Sequence, residues 1–189
     1  MKITATWSDQ NLALFTNRAG ELHARLPKVL PRIINQAGER ARTATGRQLA
    51  SQTGLPVRTA RKALTQNVKR AHAGNLRYEI GVKGGDVRLE FFAPRETRRG
   101  VSAKPWGRRS VFGQTFMRGG KFPERVVTPK LSPHVWRRNN ASGTHITQAK
   151  SGLFIPTEAV RGASAKAWQT TGAPILQQRV EAAISKLLP

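Results

Sequence analysis

The sequence has no cysteine. Disulfides, thiolate zinc sites and cysteine nucleophiles are therefore excluded, and a reducing compartment places no constraint on assembly. Acidic residues are scarce: 10 Asp and Glu stand against 33 Lys and Arg, a formal +23 with an isoelectric point near 11.9. So few carboxylates leave little with which to build a convergent acid, base or metal-ligand site. Long apolar runs are missing too. Nowhere do 18 or more apolar residues follow one another, as a membrane-spanning helix needs, and the opening MKITATWSDQNLALF lacks the uninterrupted apolar stretch of a signal peptide. The expectation is no membrane span, no membrane partner and no signal-directed secretion.

What is present is enough for a core. The 189 residues are 38% apolar before the 17 glycines are added, close to ordinary globular usage, so a single domain over 1–189 is expected rather than a disordered chain. The charge demands a counterpart. A field of this size concentrates polyanions and speeds their capture, which suits nucleic acid, an anionic membrane or an acidic protein surface, and the charge alone does not choose among them.

Along the chain, Lys2 to Trp7 alternates in a way compatible with a short strand or arm. Leu26, Val29, Leu30, Ile33, Ile34, Ala37, Ala41 and Ala44 then recur at helical spacing, giving a long helix with Pro27 and Pro31 in its first turns and an end near Gln52. Gly54 breaks it, and Pro56 opens a second helix running to about Arg70. Val57, Ala60, Leu64 and Val68 form the packed side of that helix, leaving Arg58, Arg61, Lys62, Lys69 and Arg70 as a secondary basic face. The period then changes to two. Leu76, Tyr78, Ile80 and Val82, followed after Gly84-Gly85-Asp86 by Val87, Leu89 and Phe91, read as a β-hairpin.

Residues 95–151 are basic and loop-rich, with short strands flanking a basic loop up to Pro133 and an exposed loop or insertion over 134–151; GLFIP reads as one last strand. Ile175, Leu176, Val180, Ala183, Ile184 and Leu187 mark a closing amphipathic helix after Gly172-Ala-Pro174. The expected fold class is α+β: a long helix, a second helix, an antiparallel sheet with extended basic loops, and a C-terminal amphipathic helix.

No catalytic constellation stands out. His23, His72, His134 and His145 are scattered, no phosphate-cradling loop signature occurs, and His134 and His145 around Asn139-Asn140 lack the acidic or thiolate ligands of a metal nuclease. No enzyme activity, metal or cofactor is expected. The helix break at Gly54 is compatible with a helix-turn-helix regulator, the competing DNA-binding reading, although the preceding helix is long for that motif.

The basic stretch says more. Arg95, Arg98, Arg99, Lys104, Arg108, Arg109, Arg118, Lys121 and Arg125 are interleaved with Trp106, Phe112, Phe116 and Phe122. The rings read best as strand core. The guanidinium groups, apt for bidentate grip on phosphate or carboxylate, read as contacts to DNA or an acidic partner.

TGLPVRTARKAL after a long helix, then EFFAPRETRRGVSAKPWGRRSVFGQTFM, resembles the minor tail protein Z family of lambda-like phages and prophages, the match running over roughly Leu22 to Met117. The resemblance implies a non-catalytic virion protein, assembled in the host cytoplasm and lying at the head-proximal end of the tail. There it would complete the tail and help place the genome end in the neck channel. It also implies a homo-oligomeric ring, six-fold by kinship with other neck proteins, with the tail terminator, tail tube and head-completion ring as neighbours. Six copies at +23 each would repel one another unless DNA or acidic neighbours neutralised them, so ring closure is expected to depend on a partner.

Overall fold

The computed structural model describes residues 9–140 and 142–187, and the expected N-terminal strand or arm over Lys2 to Trp7 lies outside them. The fold is α+β. Helix α1 spans Asp9–Thr53 and α2 Val57–Thr65; short strands follow as β1 Asn67–Lys69, β2 Glu79–Gly81, β3 Asp86–Arg88, β4 Arg95–Thr97, β5 Gly100–Ala103, β6 Ser110–Phe112, β7 Thr115–Phe116, β8 Trp136–Arg138, β9 Ile146–Gln148 and β10 Lys150–Phe154; α3 Ile155–Ala159 and α4 Gly162–Leu187 close the chain. The described strands form four small antiparallel or paired sheets, ordered β1-β2, β10-β3, β4-β5-β6 and β7-β8-β9. No helix among the described residues is long and apolar enough to cross a membrane.

The chain divides into two compact units. The first takes the described residues up to Ala41, Lys69–Glu79 and those from Thr170 onward. Its helical face is lined with small residues, so partners come close. Ala37 and Ala41 are buried, and Gly38 is covered by the Tyr78 ring so closely that an added Cβ would sit 2.4 Å from it. The Asn35 side chain both donates to the Ala71 carbonyl at 3.0 Å and accepts from the Ala71 amide at 2.8 Å, pairing a backbone that no strand satisfies there.

The second unit comprises Arg42–Val68 and Ile80–Gln169. Its core gathers Leu49, Leu55, Leu64, Val87, Leu89, Phe92, Val101, Val135, Leu153 and Ile155, with Ala60, Ala63, Ala103 and Ala149 filling the gaps. Gly54, at φ +75°, ends α1 by donating its amide to the Ala50 carbonyl, and Pro56 supplies the carbonyl that accepts the first amides of α2.

Several expectations need correction. Pro27 and Pro31 do not lie in the first turns of the first helix, which begins at Asp9 and holds both prolines in its interior. The residues before them, rich in Leu and Ala, favour a helix, and each proline removes only one ladder bond. The second helix stops at Thr65, so Val68 sits in β1 and Val57 is exposed. No hairpin joins β2 to β3. Strand β2 pairs with β1, whereas β3 pairs with β10, more than sixty positions along the chain, because that pairing buries Val87 with Leu153. Leu89 to Phe91 leave the strand as a 3-10 turn, which turns Phe91 outward and Phe92 into the core.

Residues 134–151 are no open loop. They form the hairpin β8-β9, closed by an Asn140 side chain that bonds Ser142, Thr144 and the His145 amide, with Val135 and Ala149 buried at its base. The closing helix begins at Gly162, well before Ile175, and carries Pro174 inside it.

Candidate functional site

The basic stretch is built around β5. All four of its residues are buried, and it is flanked on both sides, pairing Arg95 with Ser102 and Thr97 with Gly100 on β4, and Val101 with Phe112 and Ala103 with Ser110 on β6. Cross-strand partners share a face. Glu96, Val101 and Phe112 therefore look toward the core, while Arg95, Ser102 and Val111 look outward, and Val111 is 52% exposed.

The turn from β4 to β5 needs Gly100. Its φ is +137°, and an added Cβ would lie 2.1 Å from the Phe112 carbonyl oxygen. The Thr97 hydroxyl donates to the Gly100 carbonyl at 2.7 Å, which leaves Arg98 and Arg99 as the two residues of the hairpin tip. At the other end of β5, Lys104 to Arg109 make the next turn. The two groups of cations are thus separated by the strand's length, about 10 Å. A duplex presents roughly six phosphates over that distance, at one per ~1.7 Å of axis.

The cations differ in what holds them. Arg109 is engaged within the fold: its guanidinium donates to the Ser102 carbonyl (3.1 Å) and hydroxyl (3.3 Å) and to the Ala93 carbonyl (3.3 Å), lying across the outer face. Among the described residues, Arg95, Arg98, Arg99, Lys104, Arg108, Arg118 and Lys121 are exposed and make no side-chain hydrogen bond or ion pair. The secondary face separates. Arg58, Arg61 and Lys62 stand exposed on α2 without such a partner, whereas Lys69 pairs with Glu79 at 3.8 Å and Arg70 with Glu39 at 3.2 Å.

The carboxylates explain why so many cations are unmatched. In the second unit, Glu96 accepts the Met117 amide and pairs with Arg125, with side-chain exposures of 11% and 18%. Glu90 holds the His134 ring as well as Arg88, and Asp86 accepts the Gly152 amide at 2.7 Å. Glu158 accepts the Trp106 indole N–H at 3.1 Å and the Gln52 amide at 2.7 Å. Four of the unit's five acids fasten the fold in this way, so they do little to neutralise the exposed cations. The described second unit holds 22 Lys and Arg against 5 Asp and Glu, a formal +17.

Of the four rings expected to be core, Phe116 is buried and Phe112 half-buried, but Trp106 and Phe122 are exposed at 43% and 44%. Sequence reasoning also missed the cations of β8. Arg137 is exposed and unpaired, while Arg138 stacks over Phe116 at 5.0 Å; both come from WRRNN, where few apolar residues betrayed a strand.

A small cavity of about 230 Å³ lies between α1 and α2, lined by Arg42, Thr43, Arg61, Leu64 and Thr65. No carboxylate is among those residues. Gly46 permits this close crossing, since an added Cβ would stand 3.2 Å from Arg61 Cγ. His134 and His145 are not brought together at a metal site, and no group of three or more potential metal-binding side chains exists among the described residues. The chain matches no family model, no curated protein and no solved structure.

Proposed function

We propose that this chain is a non-catalytic structural protein of a bacteriophage tail, working at the head-proximal end, and that its second unit grips the phosphate backbone of DNA without reading bases. The observation that carries the DNA reading is the allocation of charge. Four of the second unit's five carboxylates are taken up by backbone amides, an indole, a histidine and a largely enclosed arginine, while the cations of the β4-β5-β6 sheet and its turns are exposed. Unpaired arginines and lysines spread over about 10 Å of strand suit a regular array of phosphates, which positions a duplex but carries no sequence information.

The tail reading rests on the resemblance of two motifs to the Z family. Each has a reason in the fold. TGLP makes the positive-φ turn between α1 and α2, and TRRGVS makes the tight β4-β5 turn and the buried strand after it. A helix-turn-helix regulator draws less support, because α2 has only nine residues and follows a helix of 45.

Titration against two duplexes of unrelated sequence at 50 and 200 mM salt tests the binding mode. The expectation is equal affinity for both and a fall of about a thousand-fold across the salt range, as six or more phosphate contacts require. A hundred-fold preference for one duplex, or indifference to salt, overturns it. Cryo-electron microscopy of tails purified before head joining tests the location. Density for the chain at the head-proximal end is expected, and its absence from finished particles defeats the tail assignment.

A further inference from the structure

The turn between β5 and β6 has more built into it than charge. Trp106 sits at φ 53°, ψ 27°, a left-handed conformation that a bulky side chain rarely adopts, and Gly107 follows at φ +72°. Such backbone persists only where the surroundings over-determine it, and it gathers at functional sites. Here the surroundings do so. Pro105 is buried, the Gly107 amide donates back to the Lys104 carbonyl, and the Lys104 amide donates to the Phe92 carbonyl. The loop also rests on the turn between the first two helices: a Cβ on Gly54 would stand 2.9 Å from both the Gly107 nitrogen and the Lys104 oxygen.

The indole is fixed as firmly as its backbone. Its Nε1 donates to Glu158 Oε1 at 3.1 Å; Gln52 donates to Glu158 Oε2 at 2.7 Å and accepts from the amide and hydroxyl of buried Ser164 at 3.2 and 3.1 Å. A chain of three side chains, Glu158, Gln52 and Ser164, thus holds a ring that is still 43% exposed. Burial is not what this ring is held for. Its sequence neighbours Lys104 and Arg108 are exposed and unpaired, as is Arg161, one turn past Glu158. Cations thus stand on both sides of the ring along the chain, at Lys104 and Arg108. A rigid aromatic face beside cations matches a nucleobase with its adjacent phosphates.

We infer that the Trp106 turn is a seat for an unpaired base of single-stranded DNA, the indole stacking on the base and Lys104, Arg108 and Arg161 holding neighbouring phosphates. The inference deepens the DNA-binding reading and rests on it. Bases paired in a duplex offer no such face, so the seat would favour single strands and strand ends.

Binding of the full chain to an oligo(dT) single strand and to a duplex of equal length, measured at one salt concentration, tests it. Trp106→Ala is expected to weaken oligo(dT) binding about ten-fold or more while changing duplex affinity less than two-fold, and Trp106→Phe is expected to restore most of the loss. Quenching of indole fluorescence by oligo(dT) should be larger in the parent chain than in Trp106→Phe, a readout that stands even where the alanine variant folds poorly. Equal loss on both nucleic acids, or none with equal quenching, overturns the base seat. If the parent chain binds neither strand form, the DNA-binding reading itself has failed.

Discussion

The two units of this chain use their acids differently. In the first, ten Lys and Arg among the described residues stand against five Asp and Glu, a formal +5. Glu39, which also accepts the Tyr78 hydroxyl, pairs with exposed Arg70, and Glu79 pairs with exposed Lys69 and Arg77. In the second, the five acids oppose 22 cations, and four of them reach into the fold. Screening explains the consequence. An exposed pair contributes little to stability but cancels a surface charge, whereas removing a carboxylate turned inward leaves enclosed partners unpaired and costs more. The second unit's positive surface is thus partly a by-product of how its small sheets are fastened.

The sharpest test of that fastening is the tight turn. Gly100→Ala is expected to cost more than about 3 kcal/mol, since the new methyl would overlap the Phe112 carbonyl and the backbone stands at φ +137°. Gly20→Ala, on the first unit's helix with nothing within 4 Å of the added carbon, is expected to stabilise by about 0.5 to 1 kcal/mol. Thermal unfolding of the two variants reads both signs. A mild effect at Gly100 would mean that the β4-β5 turn is not the fixed element described.

Next in size is the contrast between acids. Glu96→Ala leaves a largely enclosed Arg125 and the Met117 amide without their partner, an expected loss of about 3 kcal/mol. Glu79→Ala removes a carboxylate from exposed Lys69 and Arg77 and is expected to cost less than about 1 kcal/mol. Chemical denaturation at constant salt separates the two. Equal costs would erase the distinction between acids that fasten and acids that neutralise.

The legibility of the molecule follows the same division between long and short elements. The stripe from Ile33 to Ala41 made the long helix readable, and GLFIP marked β10, because in each an apolar period repeats. Partners were not readable. Strands of three residues, with one side wet, give one or two apolar positions each, so nothing in VRLEFF reveals that β3 seeks β10, and WRRNNASGTH hides a hairpin behind cations and turn formers. Prolines misled at both ends of the chain. Pro27, Pro31 and Pro174 were read as boundaries, yet all three lie within helices. At the candidate site, composition identified the cations, but only tertiary contacts distinguish Arg109, bound to three oxygens, from Arg98 and Arg99 at the open tip, or set Trp106 apart from the packed Phe116.

The smallest expected effect weighs paired cations against unpaired ones directly. Replacing Arg95, Arg98, Arg99 and Arg108 with alanine should lower the slope of log affinity against log salt by about 3.6 for duplex DNA, at about 0.9 per phosphate contact, if all four meet phosphate. Replacing Lys69 and Arg70, which already face Glu79 and Glu39, should lower it by less than about 1, because freeing those carboxylates offsets part of what the cations contributed. Arg109→Ala sharpens the comparison within the sheet itself. Since its guanidinium is held by the Ser102 and Ala93 oxygens, the variant should lose stability, by about 1 to 2 kcal/mol, with little change in slope. If the slope instead drops equally for all three sets, phosphate binding follows total charge, and the arrangement of cations around β5 carries no special part of it.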